Sequence, residues 1–484
     1  MRMRLLAASA LAGLFPIAAA AQEPRASAPP LRLSPADLTR AVASIVPPGF
    51  DAPQGSPEDE GRACPGCPVR RMVRPYFESL AINVMYNGIN HIRGHETAKI
   101  TFKTMYQNLK HGFEWDLNDW GTNQIGHPYQ GSNYFTSGRA HGLSFWESTP
   151  VAAFGSATWE FLFENNRASL NDYINTTLGG IALGEVMHRV AWLVRDPKQT
   201  GGGRRRQEII ATAIDPFGGL QRMVSGDARR MSEKPPTMIP SSVKSRGAAG
   251  VLWQGRNVIE ARASASPFFD LEMDYGDVRR GDSNVPFGAF GLQFTAGGGS
   301  PISQANIRGR YFSRAFGAGG RAQFSVFQTF DYLTNKAYAF GGQGVEVEVA
   351  VTRRLSSSTS LWMAATGGST ILGAVNTLPA EGTLPERDYD YGPTIRFGGV
   401  MELQRQGAAV ARLTYQGYQV SVVDGTRAFH VLQRLHLDLR LPLVRAFALG
   451  MSGEYFFRKA YFWPTGSRND QSPRFRVFLA WRQK

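Results

Sequence analysis

Polar and apolar residues alternate along the second half of the chain. Leu435, Leu437, Leu439 and Leu441 interleave with Arg434, His436, Asp438 and Arg440. Val345, Val347 and Val349 interleave with Glu346 and Glu348, and Ile395, Phe397, Met401 and Leu403 share a face opposite Arg396 and Glu402. Side chains on a strand point alternately to its two faces, so each of these runs has one oily and one charged side. The runs begin near Arg256 and continue to residue 482, separated by turn signals such as Gly317-Ala318-Gly319-Gly320 and Asp424-Gly425. Most exceed the roughly 9–11 residues that a tilted strand needs to cross a bilayer. The first run, 257–276, divides at Ser266-Pro267 into two strands. Because single-chain bacterial barrels have an even strand number, the pattern predicts a transmembrane β-barrel of about twelve antiparallel strands over 256–484, with ten as the next choice.

The polar face carries both signs: Arg308, Arg310, Gln323, Glu346, Glu348, Arg396, Glu402, Arg412, Arg434, Asp438, Arg440, Arg474 and Arg476. A single Arg facing lipid at the bilayer midplane costs about 2–4 kcal/mol, so these side chains are expected to point inward and pair. Trp362, Tyr391, Trp463 and Trp481, near strand ends, are expected to form the interfacial girdle. The last strand ends in Arg-Gln-Lys, three residues beyond the aromatic with which such barrels usually finish.

The other end of the chain explains how a barrel reaches an outer membrane. Arg2 and Arg4 precede an apolar run, Leu5 to Ala18, and Ala19-Ala20-Ala21 supplies small residues for cleavage. Residues 1–21 therefore read as a signal peptide, too short to span as a helix. No later segment offers about 20 uninterrupted apolar residues. Residues 22–71, rich in Pro, Ala, Ser and acidic residues, read as a flexible leader. It holds Cys64 and Cys67, the only two cysteines. In an oxidising compartment these favour a local disulfide over a redox pair or half of a zinc site.

The formal net charge is +14. Much of the excess sits between Arg195 and Arg246, with eleven basic residues against five acidic. Together with Gly201-Gly202-Gly203 and Pro235-Pro236, this makes 196–255 a basic linker in sequence terms. Nucleic acid is excluded as a partner by export. The basic stretch suits anionic lipid headgroups, or it is simply solvated. Outer-membrane lipids and the barrel-assembly machinery are the partners that the barrel implies.

Candidate chemistry lies between Met72 and Arg195, a segment with helical spacing and six of the eight histidines. Its motifs run His127-Pro128-Tyr129-Gln130-Gly131-Ser132, then Arg139-Ala140-His141-Gly142, Trp159-Glu160, Asn171-Asp172, Thr176-Thr177-Leu178-Gly179-Gly180 and Leu183-Gly184-Glu185. In this order and spacing, about 80–195 resembles a bacterial family catalogued as a domain of unknown function. The resemblance implies a Gram-negative envelope protein and assigns no activity.

On a regular helix Asp172, Thr176, Gly180, Gly184 and His188 recur at i+4, and Glu160 and Glu164 share a face. Gly180 and Gly184 would admit a neighbouring backbone. His127, Glu160, Glu164, Asp172, Glu185 and His188 are therefore the candidate site. Buried carboxylates must pair with cations or hold a metal. Asp172 or Glu185 orienting His188 or His127 would make a general base for an envelope- or lipid-modifying hydrolase or transferase. Glu185-x-x-His188 with Glu160 and Glu164 would make a carboxylate-rich metal site, although the second Glu-x-x-His unit of such centres is missing. No cofactor beyond such a metal is implied. Without a nucleophile-elbow motif, the residues favour a structural or transport role, in which the helical segment plugs, braces or gates the barrel.

Overall fold

The computed structural model describes residues 68–116, 119–279, 281, 283–377, 388–406, 408–443, 446–463 and 466–482. The signal peptide, most of the leader, and Cys64 and Cys67 lie outside the described residues. The chain divides into two compact units, Met1–Ile239 and Pro240–Lys484.

The first unit is helical. Its helices are α1 (Arg74–Ile92), α2 (Phe102–His111), α3 (His127–Ala140), α4 (Phe145–Thr158), α5 (Leu170–Ile174), α6 (Gly180–Val194), α7 (Gly201–Ile214) and α8 (Pro216–Val224). Three π-turns join or extend them: Thr122–Gly126 leads into α3, Trp159–Phe163 prolongs α4, and Asn175–Gly179 links α5 to α6. Ser144 caps α4 with a reciprocal bond from Glu147, and Ser169 caps α5. The helices α3 and α6 cross with their backbones in contact. A Cβ on Gly131 would lie 1.7 Å from the Thr176 carbonyl oxygen, and one on Gly180 would lie 2.4 Å from the Gly131 carbonyl carbon. Only glycine permits that approach.

The second unit is a closed antiparallel barrel in which each strand pairs with its sequence neighbours and the first with the last. The strands are β1 (Val243–Gln254), β2 (Ala265–Tyr275), β3 (Phe290–Gly297), β4 (Gln304–Phe316), β5 (Ala322–Thr334), β6 (Ala339–Arg354), β7 (Thr359–Asn376), β8 (Tyr389–Arg405), β9 (Ala408–Ser421), β10 (Ala428–Pro442), β11 (Phe447–Phe462) and β12 (Gly466–Arg482). The twelve expected strands are present. On β10, Arg434, His436 and Asp438 are buried while Leu435, Leu437 and Leu439 are exposed. Val347, Val349, Ile395, Met401, Leu413, Leu449, Met451, Phe475, Val477 and Leu479 extend the apolar exterior around the barrel. Water would penalise so continuous an oily surface, and lipid would not. A closed barrel with such a belt is an outer-membrane barrel. No described helix is long and apolar enough to cross a membrane.

Three expectations change. The stretch 196–255 is not a linker: it contains α7, α8 and β1, and two of its arginines are buried while Arg205, Arg206, Arg229 and Arg230 are exposed. Arg204 and Arg222 are buried against Glu208. The twelfth strand is β1, which pairs with β2 and β12, and not a division of 257–276. A short helix, α9 (Val258–Ala263), lies between β1 and β2. The girdle is half of what was expected. Trp463 is exposed and Trp481 packs beside Phe269, but Trp362 and Tyr391 are buried. Trp362 lies under the Arg279 guanidinium, 4.6 Å from its ring centre.

Candidate functional site

The three π-turns converge on one buried polar centre. His127 is the first residue after the turn Thr122–Gly126, Glu160 lies in the turn Trp159–Phe163, and Asp172 is one helical turn ahead of Thr176 in the turn Asn175–Gly179. His127, Glu160 and Asp172 each offer one ligand-type atom, and these atoms lie within 4.8 Å of one another. All three side chains are buried, Glu160 and Asp172 completely. π-turns are rare, unfavourable insertions that persist mostly where function requires a side chain to be re-aimed.

Hydrogen bonds fix each group. The His127 Nδ1 lies 3.1 Å from the Thr176 hydroxyl, and its Nε2 lies 3.5 Å from Asp172 Oδ2. The Ser169 backbone N–H donates to Glu160 Oε2 at 2.8 Å, while Glu160 Oε1 and His127 Nε2 have no hydrogen-bond partner. Asn171 donates to Asp172 Oδ1 and to Asn123, and accepts from the backbone N–H of Asp116. Burial pushes the His127 imidazole down to about 4, against the pull of Asp116 and Asp119, so the ring is neutral. Burial, followed by the charges of Glu164 and Asp172, holds the Glu160 carboxyl well above the usual carboxylate range. Burial and the nearby Asp116 raise Glu164 to about 8.

Glu185 and His188 lie elsewhere. Glu185 receives Arg139 at 2.9 Å and Arg189 at 2.7 Å. His188 Nδ1 meets Asp215 Oδ2 at 3.3 Å. Burial would raise the Asp215 carboxyl, but His188 and Arg195 hold it below its ordinary value, while burial lowers His188. The six candidates therefore separate into a centre of His127, Glu160 and Asp172, with Glu164 next to it, and a second, charge-paired group. The metal set of Glu160, Glu164, Glu185 and His188 is not brought together. Asp172 stands beside His127, but Glu185 does not orient His188. Asp215 was missed because it follows Arg195, inside the apparent linker. The signal that would have found it is Asp215-Pro216-Phe217-Gly218, a helix-cap sequence in which Asp215 accepts the Gly218 N–H at 2.9 Å.

Residues 112–217 match the model of a family described as a domain of unknown function, DUF3943. The match begins later than the resemblance read from sequence and extends past Asp215. No curated protein matches the chain. Solved structures similar to part of the chain include the NanC porin, at 8% identity and TM-score 0.26, covering 50% of this chain and 100% of that one. Another is the loop-deleted OmpT outer-membrane protein of Vibrio cholerae, at 10% identity and TM-score 0.23, covering 50% and 98% respectively. The beta domain of the Bordetella autotransporter BrkA is similar at 13% identity and TM-score 0.22, covering 49% and 98%.

Proposed function

We propose that this outer-membrane barrel has a structural, anchoring role and is not a standing diffusion pore. The observation that carries this reading is that ion pairs and hydrogen bonds bridge its lumen from wall to wall. Arg412 on β9 and Arg440 on β10 both reach Glu272 on β2, at 3.5 and 3.3 Å. Arg279, from the β2–β3 connection, crosses to Glu402 on β8 with two bonds of 2.6 and 3.0 Å. Arg434 on β10 donates to Gln304 on β4, diametrically opposite, and Arg474 on β12 donates to the Thr334 carbonyl on β5.

One mouth is narrowed further by the β5–β6 turn. Tyr338 donates to the Gln433 carbonyl of β10 and packs edge-on against Phe456 of β11. Leu333, Phe340, Val420 and Leu432 complete an apolar cluster there. Between these bridges lie cavities of about 420 and 230 Å³ that share Arg246, Glu272, Asp274 and Arg279, and a third of about 920 Å³ that meets them at Arg279 and is lined by Gln323 and Trp362. The barrel's own side chains thus obstruct its lumen between these cavities. Lipids of the outer membrane are its surroundings, and the barrel-assembly machinery is the partner that would insert it.

Planar-bilayer recording tests this reading. The full chain should insert without steady open-channel current, and the double variant Glu272→Gln, Glu402→Gln should conduct. A large, constant conductance from the unaltered protein would overturn the closed-barrel reading and restore the transport role.

A further inference from the structure

The strongest unexplained feature of the molecule is the centre of His127, Glu160 and Asp172. Three other buried carboxylates of the helical unit are met by basic side chains. Glu185 has Arg139 and Arg189, Glu208 has Arg195, Arg204 and Arg222, and Asp215 has His188. Among the described residues no Arg or Lys side chain is paired with Glu160. Burying such a group with one oxygen unsatisfied costs several kcal/mol in general, and a fold that supplied arginines to the neighbouring carboxylates had the means to avoid it. Two atoms in this centre, Glu160 Oε1 and His127 Nε2, are fully buried and lack a hydrogen-bond partner.

We propose that His127 Nε2 and the carboxylates of Glu160 and Asp172 bind one divalent transition-metal ion. Several features converge on that role. His127 Nδ1 lies 3.1 Å from the Thr176 hydroxyl, and with Nδ1–H donating to that oxygen the lone pair on Nε2 is turned toward the carboxylates. This is the outer-shell arrangement that metal-bound histidines commonly use. The Ser169 N–H holds one oxygen of Glu160 and the Asn171 amide one of Asp172, while Asp172 Oδ2 lies 3.5 Å from His127 Nε2. An imidazole with two carboxylates suits Zn²⁺, Mn²⁺ or Fe²⁺ better than the all-oxygen preference of Ca²⁺ or Mg²⁺. Ligand atoms around such an ion, with bonds of about 2.0–2.2 Å, lie roughly 3.3–3.6 Å apart. The present spread of up to 4.8 Å would tighten by on the order of 1 Å.

A bound cation would also ionise Glu160 and neutralise the pair, supplying the charge that arginine supplies at Glu185. Three protein ligands leave coordination positions open, the condition of a reactive zinc site as opposed to a closed structural one. The ligand set differs from the Glu185-x-x-His188 unit that the sequence suggests, because both members of that unit are already engaged.

The test is made on the full-length protein in detergent. It is stripped with chelator, exposed in turn to Zn²⁺, Mn²⁺ and Fe²⁺ under anaerobic conditions, desalted, and measured for metal content. One of these ions should be retained at about one per chain and should raise the melting temperature of the helical unit in a saturable way. Glu160→Gln and Asp172→Asn, near-isosteric changes, should lose at least tenfold in affinity and most of the metal-dependent shift. His188→Gln, outside the centre, should keep both. If a centre variant fails to fold, the unaltered protein still decides through its metal content and melting shift. Retention of none of the three ions by the unaltered chain overturns the proposal, as does equal retention by Glu160→Gln.

Discussion

At the scale of single residues, the helical unit sorts its ionisable groups by what each one faces. His188 is the clearest case. Burial and, more weakly, the Arg139 charge lower its pKa despite the bond to Asp215. An unfolded histidine titrates near 6.5, so as pH falls through that value the unfolded chain takes up a proton that the folded one refuses. The contribution of His188 to stability is therefore complete above about pH 6.5 and is lost progressively below it. Asp215 titrates below the ordinary carboxylate value, outside this window, but Glu164, raised to about 8, and Glu160, raised well above its usual range, gain stability as pH falls through it. Because those carboxyls and His127 titrate as well, His188 is isolated as a difference: from pH 7.5 to 5.5 the melting temperature of the unaltered protein should fall relative to that of His188→Gln. A constant difference would remove His188 from the account. That a carboxylate such as Asp172 would stand beside a histidine was legible from the residue types, with His127 and His188 both open as its partner. The partners Arg139 and Asp215 were not, because Arg139 comes from another helix and Asp215 from beyond the expected boundary, whereas Arg189 stands at i+4 from Glu185 on the same helix.

At the scale of elements, strands were easier to read than helices because their period is forgiving. A period of two survives bulges such as that between Arg310 and Phe312, since the hydrophobic set resumes on the next strand pair. The strand that escaped, β1, begins with Lys244 and Arg246 and continues through Gly247, Ala248, Ala249 and Gly250, a composition that resembles a linker. The helices misled for a different reason. Each π-turn inserts about one residue into the α-helical phase, so the i+4 stripe of Asp172, Thr176, Gly180, Gly184 and His188 does not remain on one side. Across Asn175–Gly179 it rotates: Asp172 and Thr176 face His127, Gly180 and Gly184 face Gly131 and Phe135, and His188 faces Asp215. The backbone contact between α3 and α6 holds this phase. Gly131→Ala should therefore lower the stability of the helical unit by more than the about 1–3 kcal/mol typical of overpacking, because its Cβ meets backbone and not a movable side chain. Gly88→Ala in α1, with nothing within 4 Å of the added atom, should be neutral or stabilising by about 0.5–1 kcal/mol. Thermal or denaturant melts of the two variants compare them directly, and similar midpoints would show that the crossing is not tight.

At the scale of the whole molecule, both units rely on the same device, one buried carboxylate shared among several guanidinium groups. In the helical unit it is Glu208, held by Arg195, Arg204 and Arg222. In the barrel it is Glu454, approached by Arg434, Arg474 and Arg476, with Glu272 playing the same part for Arg246, Arg412 and Arg440. Neutralising the shared carboxylate leaves several buried cations uncompensated, and breaking a buried pair in this way costs about 3–5 kcal/mol. Each hub draws its partners from its own unit, so the damage should be local. Glu208→Gln should lower the first, helical transition and leave the heat-modifiable barrel band unchanged on a gel. Glu454→Gln should do the reverse, and in the double variant the two losses should add, as they do for distant sites without shared partners. A calorimetric scan of the full chain at constant detergent measures both at once. If either single substitution displaced both transitions equally, the chain would be one cooperative structure, and the division at Ile239 and Pro240 would describe contact density without describing stability.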